Sequence, residues 1–190
     1  MATSSKYAVP FRRKREGKTD YKKRMKLLLG NKPRLVVRRS LKHITLQIIT
    51  YNSKGDSILF SAHSSELAKH GWLGSTSNTS AAYLTGLLLA KKAGSQAGVV
   101  DLGQQTSVKG SVLYAAIKGA IDGGLGVSCS ENVFPSEKRI RGEHIATYAK
   151  TLKDADKEKY EQEFSQYLKN KLDPEQLPKH FDDIKAKIAP

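Results

Sequence analysis

Arg34-Leu-Val-Val-Arg-Arg39, His43-Ile-Thr-Leu-Gln-Ile-Ile-Thr-Tyr51 and Ser57-Ile-Leu-Phe-Ser-Ala-His63 follow one another with only short polar connections. A turn-like Ser40-Leu-Lys-His43 divides the first pair, and Asn52-Ser-Lys-Gly-Asp56 divides the second. The first run is β-branched. The second alternates with period two, placing Ile44, Leu46 and Ile48 on one face and Thr45 and Gln47 on the other, the pattern of a half-buried strand. Connections this short join neighbouring strands, so the three runs predict an antiparallel meander. One of its faces is apolar; the other is open to water or to a partner.

Downstream the pattern changes from period two to helical spacing. Asn78 or Thr79 opens a helix reaching about Ala93 that carries Ala82, Leu84, Leu87, Leu88 and Ala90, and Gly94 ends it. Gly98-Val-Val-Asp-Leu102 reads as a short buried strand. Ser107 is placed to cap a second helix in which Val108, Val112, Ala115, Ala116 and Ala120 recur, with Gly123-Gly124 as its stop. The Gly-rich stretch from Gly119 to Gly126 follows a helix and lacks GxGxxG spacing, so it reads as a helix cap and turn instead of a phosphate cradle. Residues 141–152 and 154–172 read as further helices, the latter with Tyr160, Phe164, Tyr167 and Leu168 as a stripe that either packs on the main domain or meets a protein partner. After Asp173-Pro174, a last segment aligns Phe181, Ile184 and Ile188. The expected fold is therefore α/β: an antiparallel three-stranded meander plus a further strand, covered by helices, with a basic N-terminal arm and a helical C-terminal extension. The expected divisions are an arm and short helix over residues 1–31, an α/β domain over 32–135, and a helical extension over 136–190 packed on that domain.

Charge is the outlier of the composition. The 190 residues carry 33 Lys and Arg against 18 Asp and Glu, a net of +15, where a small domain typically carries about 2–8 in magnitude. Residues 1–42 hold 15 of the basic residues and only two acids, Glu16 and Asp20, so nearly all the excess lies in the first quarter of the chain. Residues 150–190, by contrast, balance nine Lys against nine acids. A nearly neutral globule with a basic arm points to a polyanionic partner, either nucleic acid or an anionic membrane.

The arm has two parts. Residues 1–18, including Phe11-Arg-Arg-Lys-Arg15, have no apolar periodicity and are expected to be disordered when free. Thr19 then reads as an N-cap, Asp20 favours the helix dipole, and Tyr21, Met25, Leu28 and Leu29 make one apolar stripe that docks on something. Gly30-Asn31 and Pro33 stop the helix.

Other classes find little support. One cysteine, Cys129, allows no internal disulfide and no CxxC knuckle. None of the five His has zinc-helix spacing, and neither a GxSxG elbow nor a Walker loop is present. Asp56, Asp101 and Asp122 are too few and too scattered for a two-metal nuclease, so neither a catalytic site, a metal nor a cofactor is expected. No apolar run approaches the roughly 18–20 residues of a membrane span. The first residues lack the apolar core of a secretory signal, and Glu16 and Asp20 argue against a mitochondrial presequence. A soluble intracellular protein in a reducing compartment is expected.

Binding remains. A membrane-surface helix wants a long apolar face with Trp or Phe anchors, whereas residues 20–29 offer about three turns with Tyr21 as the one aromatic. The basic segment instead continues into the first strand, which suits an RNA groove; for DNA there is no helix-turn-helix, finger or zipper signature. The residues expected to position phosphates are Arg12, Arg13, Lys14, Arg15, Lys18, Lys22, Lys23 and Arg24, extended over the sheet by Arg34, Arg38, Arg39 and Lys42. Tyr7, Phe11 and Tyr21 are interleaved with the charge and are candidates for stacking on unpaired bases or for docking against the domain.

Phe11-Arg-Arg-Lys-Arg-Glu-Gly-Lys-Thr-Asp-Tyr-Lys-Lys-Arg24, Pro33-Arg-Leu-Val-Val-Arg-Arg-Ser40, the run from Lys109 to Leu125, Phe134-Pro135 and Gly142-Glu-His-Ile-Ala-Thr-Tyr-Ala149 resemble, in order, the archaeal-type ribosomal protein L-eighteen, counterpart of the eukaryotic L-five family. The resemblance covers nearly the whole chain, without any one motif carrying it. It implies a non-enzymatic constituent of the large ribosomal subunit, in the cytoplasm, that binds 5S rRNA and attaches it to large-subunit rRNA in the central protuberance. It also implies neighbouring large-subunit ribosomal proteins as partners and no membrane. A basic membrane-surface or DNA-binding protein is the alternative.

Overall fold

The computed structural model describes residues 6–188. In chain order the elements are α1 (Arg12–Arg15), α2 (Tyr21–Leu28), β1 (Arg34–Arg39), β2 (Ile44–Thr50), β3 (Ser57–His63), a 3₁₀ turn (Ser64–His70), α3 (Thr79–Ala93), β4 (Ala97–Asp101), α4 (Val112–Asp122) and β5 (Gly126–Val127). A second 3₁₀ turn (Glu131–Val133) precedes α5 (Glu137–Arg141), α6 (Glu143–Ala155), α7 (Lys157–Glu163) and α8 (Ser165–Lys169). A third (Pro174–Gln176) leads into α9 (Leu177–Ile188).

The sheet contains the expected antiparallel meander of three strands but adds two further strands where one was expected. Its order is β3-β2-β1-β4-β5. β1, β2 and β3 are antiparallel neighbours, but β4 runs parallel to β1 and β5 parallel to β4, so the sheet has five strands and is mixed. The physical reason lies in the connections. A short turn can only reverse the chain, whereas the α3 and α4 crossovers return it to start another strand in the same direction.

Register sets two unlike faces. Leu35, Val37, Ile44, Leu46, Ile48 and Ala62 are buried together under α3 and α4. Opposite parity puts Arg34, Val36 and Arg38 of β1, Ile49 of β2 and Asp101 of β4 on the other face, since Arg34 pairs with Ile49 and Val36 with Asp101. Val36 and Ile49 are buried there too. That face is covered by the chain's own N-terminal segment: Lys18, Thr19, Asp20, Lys23 and Arg24 line a cleft with Arg34, Val36 and Ile49.

α3 and α4 pack with their backbones almost touching. A Cβ on Gly119 would collide with the Tyr83 carbonyl, and one on Gly86 with the Ala116 carbonyl. Gly119 is thus a packing residue inside α4 and not part of the turn, which begins at the C-cap Gly123. α4 starts at Val112 with Ser111 as N-cap, later than the expected Ser107, and Val108 lies exposed in the preceding loop.

The C-terminal third is divided among more helices than expected. The periodic run 154–172 is interrupted at Asp156 and Phe164, giving α7 and α8, and its aromatic stripe splits. Tyr160 and Phe164 form a small cluster with Ala149, Tyr167 packs between clusters, and Leu168 is exposed. α9 buries Leu177, Phe181, Ile184 and Ile188 in the same core as the sheet, each burial contributing roughly 1.5–3 kcal/mol.

Candidate nucleic-acid interface

The arm is more ordered than its composition suggests. Arg12–Arg15 form one helical turn in place of an irregular segment, while residues 1–5 of the stretch expected to be disordered lie outside the described residues. Local charge pairing explains the turn: Arg12 Nε donates to Glu16 at 2.7 Å and Lys18 Nζ lies 2.9 Å from the same carboxylate. The Arg12 hydrogen bond, followed by that of Lys18, holds the Glu16 carboxyl below its ordinary range. Arg13 Nε donates to Thr19 Oγ1 at 2.8 Å. Thr19 is therefore a tether. The N-cap of α2 is Asp20, whose carboxylate accepts from the backbone N–H groups of Lys22 and Lys23 at 2.9 and 3.1 Å.

α2 meets the sheet through a face rotated from its apolar stripe, of which Tyr21 and Leu28 turn inward and Met25 and Leu29 do not. Met25 and Leu29 are 64% and 79% exposed, whereas Tyr21, Arg24, Leu27 and Leu28 are half-buried. The rotation follows from Arg24. Its Nη1 and Nη2 donate to the two carboxylate oxygens of Asp56 at 2.8 and 2.7 Å, a bidentate fork of the kind that fixes orientation as well as distance.

Asp56 is shared. Arg34 Nη2 donates to it at 2.6 Å, and Arg34 Nη1 donates to Asp101 at 2.9 Å. Arg34 is 3% exposed. The Arg24 hydrogen bond, more than that of Arg34, keeps the Asp56 carboxyl below its ordinary range against the opposing effect of burial. Asp101 also accepts from the Gly103 N–H at 2.9 Å, and Lys23 Nζ donates to the Gly103 carbonyl at 3.2 Å. Arg24 and Arg34 are thereby engaged inside the molecule. For Arg34 this corrects the expectation of a surface phosphate contact, because an alternating strand sends it to the covered face, where two carboxylates compensate its charge.

The other expected cations are at the surface. Lys14, Arg15, Lys22, Lys23, Arg38, Arg39 and Lys42 are exposed, and none forms a salt bridge among the described residues. Arg12, Arg13 and Lys18 are exposed too, each with its intramolecular partner. Of the aromatics, Phe11 and Tyr21 pack on each other with ring centroids 5.1 Å apart, while Tyr7 is 47% exposed.

Two groups escaped the sequence reading. Asp56 and Asp101, weighed only as isolated carboxylates, are what anchor the basic helix. No local signal marks them, because their partners are 22 to 67 residues distant. Second, Gln104, Gln105 and Thr106 line a groove of about 730 Å³ with Arg39 and Leu41. Gln105 Nε2 donates to the Arg39 carbonyl at 3.0 Å, joining the β4–α4 loop to the end of β1. A neutral polar loop carries no sequence signature of such a role.

Among the described residues no three His, Cys, Asp or Glu gather in a way that could hold a metal ion, and no helix is long and apolar enough to cross a membrane. Cys129 is half-buried, and burial pushes its thiol up, away from the reactive thiolate. What the arrangement offers chemically is fixed positive charge on the arm and the adjoining end of the sheet, suited to phosphate oxygens. Over residues 5–99, which span the arm, β1 to β3 and α3, the chain matches the family of ribosomal large subunit proteins 60S L5, and 50S L18.

Proposed function

The chain belongs to the family of ribosomal large subunit proteins 60S L5 and 50S L18, and on that footing we propose that it binds 5S rRNA and attaches it to large-subunit rRNA in the central protuberance, beside neighbouring large-subunit proteins. The observation that carries this reading is the set of exposed cations on the arm, the end of β1 and the turn after it that form no salt bridge among the described residues: Lys14, Arg15, Lys22, Lys23, Arg38, Arg39 and Lys42. Arg12, Arg13 and Lys18 join them by exchanging their local partners for phosphates. Arg24 and Arg34 belong to the framework. Tyr7 and Phe11, 47% and 70% exposed, are open to stacking on unpaired bases, and Phe11 also packs on the half-buried Tyr21.

Phosphate contacts supply attraction of any RNA, and unpaired bases and shape supply choice among RNAs. The test is a titration of 5S rRNA and of an unrelated RNA of equal length across salt. With about 6–10 phosphates engaged, affinity falls roughly 10³–10⁵-fold between 50 and 200 mM salt. The preference for 5S rRNA persists across that range. A preference that vanishes as salt rises overturns the 5S assignment, and a shallow slope for both RNAs removes the arm from the mechanism.

A further inference from the structure

We propose that Asp56 is a positioning residue for RNA binding: an anionic clasp in the β2–β3 turn that fixes the basic helix α2 on the sheet, so that removing this negative charge weakens the hold on a polyanion. The proposal rests on the RNA-binding reading above and adds to it a residue of the opposite sign.

α2 has no buried residue. Half-buried side chains alone give an eight-residue helix little to dock with, and isolated helices this short are marginal in water. Its ties to the sheet are polar. Arg24 grips Asp56 with both terminal nitrogens, and Lys23 reaches the Gly103 carbonyl. Asp56 in turn is held by Arg34, which is buried in β1 and bound on its far side to Asp101 of β4. Charge-assisted hydrogen bonds therefore run without interruption from β4 through β1 and the β2–β3 turn to α2. Their effect is to hold the backbone carrying Lys22 and Lys23 in place before RNA arrives, which reduces the ordering cost of binding.

General electrostatics predicts the reverse for the same residue. Neutralising Asp56 raises the net charge by one and strengthens attraction to any polyanion. The two accounts differ in sign. The experiment compares the full-length chain with Asp56→Asn and Arg24→Gln, measuring affinity for 5S rRNA at several salt concentrations, thermal melting, and hydrogen exchange of the α2 amides. Wild type against 5S and unrelated RNA decides the functional reading by itself. The variants decide the clasp, on whichever RNA the wild type binds. If the clasp keeps α2 docked and its loss leaves about one molecule in ten competent, Asp56→Asn weakens binding about tenfold, with faster exchange confined to α2. Binding as tight as wild type, or tighter, overturns the proposal. Should Asp56→Asn fail to fold, Arg24→Gln decides, because Asp56 then keeps Arg34. A salt slope shallower by about two or more, with α2 exchange raised, supports the clasp. Unchanged affinity, or a slope shallower by about one with α2 exchange unchanged, makes Arg24 at most an ordinary phosphate contact and overturns it.

Discussion

At the scale of single residues, the basic segment sorts into two chemical roles that look identical in sequence. Arg34 and Arg38 are four residues apart on one strand face, yet Arg34 is buried between two carboxylates and Arg38 is exposed. Removing one partner from a buried ion pair strands the other, so this network is sensitive to protonation. Asp56 is held below its ordinary value of 3.8 by Arg24 and then Arg34. A carboxylate whose folded-state value is depressed contributes stability above its unfolded value and loses it as pH falls through the folded one. Docking of α2 is therefore complete at neutral pH and is lost on acidification from about pH 4 downward, which hydrogen exchange of the α2 amides as a function of pH measures. The share of that loss owed to Asp56 is the share that Asp56→Asn removes from the pH profile. A second residue-scale expectation concerns Tyr21. Its ring rests on Phe11, and an aromatic pair is worth about 0.5–1.5 kcal/mol beyond burial. Tyr21→Phe keeps the pair and binds RNA like wild type. Tyr21→Ala frees residues 11–18 and weakens binding several-fold, with no comparable change in the melting of the whole domain, as parallel melting and binding curves show.

At the scale of elements, the decisive packing is helix on helix. α3 and α4 approach closely because Gly86 faces Ala116 and Gly119 faces Tyr83, glycine against backbone on both sides. Ala in place of Gly raises intrinsic helix propensity by about 0.8–1.0 kcal/mol. Here the added methyl meets a peptide group that no rotamer change can move aside, and overpacking costs about 1–3 kcal/mol or more. Gly119→Ala is accordingly destabilising despite its better propensity, and a lowered melting temperature with retained helical circular dichroism is the expected record. A variant as stable as wild type contradicts the close approach. The same pair of helices roofs Leu35, Val37, Leu46 and Ile48, so loosening it disturbs the sheet that carries the cations.

At the scale of the whole molecule, the core and the charged surface are built from different parts of the chain. None of residues 6–18 is buried, whereas α9, at the other end, contributes four buried side chains to the central core. Deleting residues 1–18 consequently leaves the melting temperature within a few degrees of wild type and lowers RNA affinity by orders of magnitude, with a shallower salt slope. Truncating before α9 does the opposite: it unfolds the domain by removing Phe181 and Ile184 and exposing the core they cover, at a cost of roughly 1.5–3 kcal/mol for each large side chain lost from the core. Melting and binding measured on both truncations separate the two halves of this expectation.

What the sequence determined by itself is whatever depends on neighbours along the chain. The alternation of Ile44, Leu46 and Ile48 set β2 and its buried face, the spacing of Phe181, Ile184 and Ile188 set the inner face of α9, and the concentration of Lys and Arg before residue 43 marked the basic surface proposed for a polyanion. Periodicity and local charge are short-range properties, and one chain segment suffices to read them. Only the tertiary structure decided which cations remain at that surface. Arg34 follows the same alternation as Arg38, and nothing local announces that Asp56 and Asp101 will close on it from 22 and 67 residues away. Nor does anything in the stripe of α2 announce that a bidentate pair, rather than Met25 and Leu29, will set its rotation. The parallel entry of β4 beside β1 and the glycine contact of α3 with α4 have the same origin. Strand order, ion pairing and helix approach are settled between segments distant in sequence, where the balance of desolvation, geometry and backbone clearance exists only once the chain has closed on itself.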